Sequence, residues 1–233
     1  MKDLRLVIGS LGFIGFVAVA VAKDGVDNPH WLSHNEIEAI IASEPPPPAP
    51  GSDADKVDVQ KELDAQNGRT PDEIAEAKRD QSYSVALFIS IVGPNLTPQA
   101  DPVTFHFFDE LDSQVAKVVH ESKDHWMRPR PYQAHPDILH PLFTAGDSSY
   151  PSGHAMNAFA FAVVLGQIWP AHADAFLARA RAVAHSRVVA GVHYTSDIAE
   201  GEVVGKEVAK ELLAKPEFQK ELQAAKAEVA AQK

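Results

Sequence analysis

Three short stretches of the sequence carry charged and polar side chains that helix packing alone does not require. They are KDHWMRPRP starting at Lys123, PSGH starting at Pro151, and SRVVAGVHYTSD starting at Ser186. The cations Lys123, Arg130 and Arg187 could together neutralise a phosphoryl group in transfer, which is a trigonal species with several negative charges. Arginine suits such a group because its planar guanidinium donates two hydrogen bonds at once. These residue types favour chemistry on a phosphorylated substrate.

The second and third stretches add a helix start that could bind an anion and two histidines. Ser152 and Gly153 directly precede a long apolar run, so backbone N–H groups there would be free to bind phosphate, and glycine would let it come close. Asp197 follows His193 by four residues, one helical turn, so it could accept a hydrogen bond from one ring nitrogen and leave the other free. His154 offers a second group for proton transfer.

The spacing of these stretches resembles a known signature. Lys-x6-Arg-Pro, Pro-Ser-Gly-His and Ser-Arg-x5-His-x3-Asp occur here in this order, as in the type 2 phosphatidic acid phosphatase superfamily. That superfamily joins bacterial acid phosphatases, lipid phosphatases and vanadium haloperoxidases. The longer segments KDHWMRPRPY, SSYPSGHA, SRVVAGVHYTSDIAEG, PPPPAPGS and KPEFQKELQAAKAE resemble class A bacterial nonspecific acid phosphatases over most of the chain. One departure is the short, cysteine-free segment 132–150, where class A members often carry a longer insert with cysteine.

The resemblance implies a metal-independent acid phosphatase that hydrolyses phosphate monoesters through a phosphohistidine, and it leaves phosphotransferase activity open. In this interpretation His193 attacks phosphorus, Asp197 orients it, and His154 protonates the leaving alcohol and then activates water. The residues that would bind the phosphate are Lys123, Arg130, Ser152, Gly153 and Arg187. No cofactor and no metal are expected, because the cations take the place of a metal ion. We expect an acidic-to-neutral pH optimum.

Other functions fit the same residues. A vanadate-dependent haloperoxidase would use the same site, since vanadate resembles the bound phosphoryl group. A lipid phosphatase would also fit, although such enzymes usually carry membrane helices. A non-catalytic, phosphate-binding envelope protein is the alternative that is not an enzyme.

Residues beside the motifs allow more than one interpretation. Arg128 could support the site, guide substrate entry, or be an exposed cation. The aromatic residues Trp126, Tyr132 and Tyr150 could line the pocket of the leaving group, but packing in the interior is the favoured interpretation.

The 233-residue chain divides into three segments. Residues 1–22 combine the basic Lys2 and Arg5 with an apolar run that ends in small residues, a pattern typical of a secretory signal peptide. A retained anchor is the alternative, since the run approaches the length that spans a bilayer. Residues 23–56 are predicted to form an N-terminal segment with a proline-rich arm, which could be a linker or could lie against the domain or a second subunit. Residues 57–233 are predicted to form one helical phosphatase domain.

Composition restricts the partners. The formal net charge of −11 makes the chain a poor ligand for nucleic acid or anionic membranes. Cysteine is absent, so neither disulfides nor thiol chemistry is available. We expect a periplasmic or secreted protein that acts on small phosphomonoesters, binds no nucleic acid and is not stably inserted in a membrane after signal cleavage. The resemblance also implies a homo-oligomer.

Helical patterns surround the three stretches and must position them. Thr70 and Pro71 are typical of a helix start, and a helical period of apolar residues precedes Lys123. Residues 124–150 lack a period and are predicted to be a loop. The run from Gly153 is apolar on all sides, which predicts a central buried helix. The predicted fold class is all-α, a single helical-bundle domain of the acid phosphatase / vanadium haloperoxidase type.

Overall fold

The computed structural model describes residues 31–93 and 95–231, and every regular element within them is helical. The helices are α1 (His34–Ser43), α2 (Asp53–Gly68), α3 (Pro71–Arg79), α4 (Ala86–Val92), α5 (Pro102–Trp126), α6 (Pro131–Ala134), α7 (Gly153–Ile168), α8 (Ala173–Val189), α9 (Thr195–Leu213) and α10 (Pro216–Ala231), with a 3-10 turn at Pro170–His172. The predicted all-α class is confirmed. The signal peptide predicted over residues 1–22 lies outside the described residues.

Helix α7 is the centre of the bundle. Its side chains Met156, Phe159 and Phe161 are almost fully buried, and α5, α8 and α9 pack around it. A helix that is apolar on all sides is stable only when neighbours cover it all round, which is the position that α7 takes. The start of α7, where the PSGH stretch lies, packs against α5 and α9.

Two glycines of α9 allow it to pack directly against the backbone of α7. A Cβ atom at Gly205 would lie 2.3 Å from the Met156 carbonyl oxygen, and one at Gly201 would lie 2.6 Å from the Ser152 carbonyl oxygen. In the other direction, the Ser152 N–H donates to the carbonyl oxygen of Asp197 at 3.0 Å. This close approach fixes the first turn of α9 beside the first turn of α7.

The N-terminal segment belongs to the same core. Ser33 caps α1 through the backbone N–H of Glu36, and the α1 residues Ile37, Ile40 and Ile41 are buried in the main apolar cluster. These contacts attach α1 to the bundle.

The proline-rich arm begins in contact with the domain. The Glu44 carboxylate accepts hydrogen bonds from the hydroxyl of Ser122 and the indole of Trp126, each at 2.6 Å. The Tyr150 hydroxyl donates to the Pro45 carbonyl oxygen at 2.7 Å. Of the arrangements that the sequence left open, the described residues show the start of the arm lying against its own domain.

Some helix boundaries differ from the expected ones. The helix that contains Val57 begins at Asp53, because Ser52 caps it. Residues 124–150 are not loop throughout, since α5 continues to Trp126 and residues 131–134 form a helical turn. None of the helices within residues 31–93 and 95–231 has the length and hydropathy needed to cross a bilayer.

We expect Gly205→Ala to lower the melting temperature, because the added methyl would force the α7 and α9 backbones apart. Overpacking of this kind costs about 1–3 kcal/mol. Thermal unfolding followed by circular dichroism measures the effect. Gly68→Ala at the end of α2 is the matched control, since a Cβ there meets nothing within 4 Å. Equal melting temperatures for the two variants would show that the α7–α9 approach is not tight.

Candidate active site

The predicted site residues converge on one cavity of about 410 Å³ among α5, α7 and α8. Six of them line it, namely Lys123, Arg130, Gly153, His154, Arg187 and His193. Asp197 and Ser152 are fully buried behind the wall. The structure therefore brings all eight predicted residues to one place, six at the surface of the cavity and two behind it.

His193 and Asp197 are paired, but not as successive turns of one helix. His193 lies in the turn between α8 and α9, and Asp197 is the third residue of α9. The Nδ1 atom of His193 is 3.4 Å from Oδ2 of Asp197. The expectation of one helical turn between them was wrong, because helix α9 begins at Thr195 and its third residue folds back over the preceding turn.

The hydrogen bonds of His193 define its tautomer. Its Nε2 atom lies 3.1 Å from Nη1 of Arg130. A guanidinium can only donate, so Nε2 must accept, and in the neutral ring the proton then belongs to Nδ1 facing Asp197. This arrangement leaves the lone pair of Nε2 on the side of the cations.

Asp197 is held from several directions. Its Oδ2 accepts from the Tyr194 backbone N–H at 2.9 Å and from the Ser149 hydroxyl at 2.5 Å. Its Oδ1 accepts from Nη1 of Arg128 at 2.6 Å. A carboxylate with this many donors is fixed in position, and it fixes the His193 ring in turn.

Arg128 is buried rather than exposed, with 7% of its surface accessible. Its guanidinium lies between Asp197 and Asp58, with Nη2 3.1 Å from Oδ2 of Asp58, and stacks 4.0 Å from the centre of the Tyr194 ring. Asp58 of α2 also accepts from the backbone N–H of Ser196 at 3.1 Å, which caps α9. Arg128 therefore supports Asp197 from behind the cavity and ties it to α2.

The start of α7 forms part of the lining of the cavity. Gly153 is the first residue of the helix, and a Cβ there would lie 2.7 Å from Cγ1 of Val119. The Ser152 hydroxyl accepts from the Ala155 N–H at 3.4 Å, and Ser152 does not line the cavity. Ser152 thus acts on the cavity through the helix start that it caps.

Arg187 enters the cavity from the last turn of α8. Its Nη1 donates to the Asp80 carbonyl oxygen at 3.2 Å, while its buried Nε has no hydrogen-bond partner. Burial, followed by the Arg130 charge, lowers the pKa of Arg187 to about 10. A buried donor without a partner is costly, so the surroundings of Arg187 do not fully compensate its burial.

The surroundings of both histidines favour the neutral ring. Burial, and after it the Arg130 charge, holds the pKa of His193 well below its usual range. Burial and the Arg187 charge lower the pKa of His154 to about 3, and its Nε2 lies 3.1 Å from the Gln81 carbonyl oxygen. A phosphate anion would offset the cations and make protonation of His154 easier.

Three carboxylates of the site could not be identified from the sequence. Asp147 contacts Lys123 and Arg130, Asp58 supports Arg128, and Asp80 accepts from the Ser186 hydroxyl at 2.7 Å. Each lies outside the three stretches. For Asp147, its position five residues before Ser152 was the one feature of the sequence that suggested a place near the site.

Comparison with known proteins agrees with this geometry. Residues 113–215, which include all three stretches, match the family model of the PAP2 superfamily. This match confirms, for residues 113–215, the resemblance predicted from the signature.

Curated relatives extend the similarity beyond that domain. A non-specific acid phosphatase of Providencia stuartii is 28% identical over 99% of this chain and 98% of its own length. One of Salmonella typhimurium is 28% identical over 89% of this chain and 87% of its own. These relatives support a phosphatase enzyme.

A solved structure shows the same fold. The crystal structure of a transmembrane PAP2 type phosphatidylglycerolphosphate phosphatase from Bacillus subtilis superposes with a TM-score of 0.50 at 21% identity. It covers 75% of this chain and 89% of that one. At this identity the likeness shows the helical fold alone.

Glu62 provides a test of the buried charge network. Only 1% of its surface is accessible, and neither carboxylate oxygen has a partner. Burial, followed by the charges of Asp197 and Asp58, raises the pKa of Glu62 from 4.5 to about 9. The folded protein therefore keeps a proton that the unfolded chain loses, and stability falls as pH rises from about 4.5 to about 9.

We expect Glu62→Gln to remove this loss. The free energy of unfolding of the variant, relative to the wild type, should rise by on the order of 3 kcal/mol between pH 4.5 and pH 8. Urea unfolding at a series of pH values measures the difference. Asp64→Asn, at an exposed position of the same helix, is the control. A difference that stays constant with pH would contradict the buried, protonated carboxyl.

Proposed function

We propose that this chain is an acid phosphatase that hydrolyses phosphate monoesters at the cavity through a phosphohistidine at His193. The observation that carries the proposal is the His193 ring itself. Its Nδ1 faces the Asp197 carboxylate and its Nε2 faces a wall of buried cations. A nucleophile oriented by a carboxylate, beside donors for three phosphoryl oxygens, is the arrangement that phosphoryl transfer to nitrogen requires.

In the first step Nε2 of His193 attacks phosphorus and the bond to the ester oxygen breaks. The anionic substrate offsets the cations around His154, so that its ring takes up a proton on binding; it gives this proton to the departing alkoxide, and a neutral alcohol leaves. Nη1 of Arg130 lies 3.1 Å from Nε2, and it donates instead to a phosphoryl oxygen as the N–P bond forms. Lys123 and Arg187 neutralise the charge that develops on the other oxygens.

In the second step His154, now neutral, takes a proton from water. The water oxygen attacks phosphorus, the N–P bond breaks, and inorganic phosphate forms while His193 regains its lone pair. An alcohol in place of this water would receive the phosphoryl group, which would make the enzyme a phosphotransferase. His154 thus alternates between acid and base on the same oxygen position.

The remaining sequence predictions complete the proposal. We place the enzyme in the periplasm or outside the cell, with residues 1–22 as its signal peptide. Residues 23–56 form the N-terminal segment with the proline-rich arm, and residues 57–233 form the phosphatase domain. The homo-oligomer implied by the resemblance stays a prediction, as does the absence of a metal requirement.

We expect the protein to hydrolyse p-nitrophenyl phosphate in excess chelator, with the highest rate at acidic to neutral pH. His193→Ala should lower kcat by at least about 10³-fold, because the nucleophile is lost. His34→Ala, which removes a histidine that is exposed on α1, should keep the wild-type rate. Equal turnover by His193→Ala and the wild type, or no turnover by the intact protein, would contradict the mechanism.

His154→Ala should separate the two steps. A p-nitrophenyl leaving group needs little protonation, so the variant should still release one equivalent of p-nitrophenol rapidly. Hydrolysis of the phosphoenzyme should then be slow, because no base activates the water. Rapid-mixing absorbance measurements detect this burst. A steady rate without a burst, or a first step that is slowed equally for aryl and alkyl phosphates, would remove His154 from the acid–base role.

A further inference from the structure

Asp147 occupies part of the space that the proposed mechanism gives to the substrate. Its Oδ2 lies 2.9 Å from Nζ of Lys123, and its Oδ1 contacts Nη2 of Arg130. Both cations are almost fully buried, whereas 57% of the Asp147 side chain is exposed. Two of the three cations that line the cavity therefore hold a carboxylate of the chain itself.

The cations are fixed more firmly than the carboxylate. Nη1 of Arg130 donates to the Val192 carbonyl oxygen at 2.7 Å, and its Nε donates to the Asp147 carbonyl oxygen at 2.9 Å. Nζ of Lys123 also donates to the Ser148 carbonyl oxygen. The exposed Asp147 carboxylate can rotate toward solvent while these backbone contacts keep both cations in place.

The charges near Asp147 determine what a second anion would meet. They are Asp112, His120, Lys123 and Asp124 on α5, Arg130 before α6, Arg187 on α8, and the two cavity histidines His154 and His193. Burial disfavours the Asp147 carboxylate, but the charges of Lys123 and Arg130 outweigh it and lower the pKa of Asp147 to about 2. Asp147 is therefore ionised throughout the working range, and its own titration does not gate the site.

We propose that Asp147 is a specificity-determining residue that makes the cavity select the monoanion of a phosphate monoester over its dianion. The inference rests on the proposed phosphatase function. A monoanion can share Lys123 and Arg130 with the carboxylate, whereas a dianion must displace it or bear its repulsion. Phosphate monoesters lose their second proton at a pKa of about 6, so the carboxylate favours binding on the acidic side of that value.

The test compares Asp147→Asn with the wild type at pH 5 and pH 8. KM for p-nitrophenyl phosphate is measured by steady-state kinetics, and the dissociation constant of inorganic phosphate by calorimetry. Each constant of the variant is divided by that of the wild type at the same pH. This ratio removes the pH dependence that both proteins share. We expect Asp147→Asn to lower KM and the phosphate dissociation constant at pH 8 by about tenfold, with a much smaller change at pH 5.

Two further variants make the comparison specific. Asp137→Asn removes an exposed carboxylate from the same loop without touching the cavity and should behave as the wild type. Asp147→Glu restores the charge. It should therefore restore the wild-type change in KM and in the phosphate dissociation constant between pH 5 and pH 8.

Two outcomes would overturn the inference. The first is an Asp147→Asn effect that is the same at both pH values. The second is weaker phosphate binding at both, which would mean that Asp147 holds the cations in place instead of competing for them. If the proposed function is wrong, the wild type will hydrolyse no ester. The calorimetric dissociation constants of inorganic phosphate will still test the role of Asp147 in that case.

Discussion

The site depends on keeping Lys123, Arg130 and Arg187 close together within one largely buried cavity. Their mutual repulsion and their loss of water both oppose this arrangement, and the fold offsets the cost with fixed acceptors. These are mostly backbone carbonyl oxygens, at Val192 for Arg130 and at Asp80 for Arg187. Carbonyl groups hold a cation without neutralising its charge, so the cavity keeps its attraction for a phosphoryl group.

The negative charges of the site are placed behind the cavity wall. Asp197 and Asp58 flank Arg128 there, so each of these two buried carboxylates contacts a buried cation. Their separation from the cavity lets Asp197 orient His193 without repelling an anionic substrate. Asp112 and Asp147 depart from this division because they line the cavity, and Asp147 contacts Lys123 and Arg130 directly. That contact is the physical reason for assigning Asp147 a part in substrate selection.

Helix packing holds these charged residues in position. The glycine contact between α7 and α9 places the Asp197 backbone against the start of α7, so the partner of His193 is fixed relative to Gly153. The cap that Asp58 provides joins α2 to α9. Small displacements of α9 would therefore affect both the orientation of His193 and the position of Gly153.

Local patterns were enough to predict much of this. The all-α class follows from helical periods, and the Thr70 cap of α3 follows from a cap residue before proline. The site residues within the three stretches could be named because their spacing is distinctive. The contacts of Asp58 and Asp147 could not, since they join positions far apart in the chain or depend on how one loop folds.

The pairing of His193 with Asp197 shows a second limit of prediction from sequence. The four-residue spacing correctly predicted that the two side chains meet, but it wrongly predicted that they lie one turn apart on the same helix. The same spacing also brings a turn residue and the third residue of the following helix together, through the bond from the Tyr194 N–H to the Asp197 carboxylate. Periodicity alone does not distinguish these two arrangements.

The measurement that tests the account most directly is the location of a covalent phosphoryl group. His154→Ala would be mixed with substrate, quenched in alkaline denaturant, digested and analysed by tandem mass spectrometry. The account predicts a single phosphoryl group on His193, absent from the double variant that also carries His193→Ala. A phosphoryl group on another residue such as Ser152, or an active enzyme that never becomes phosphorylated, would contradict it.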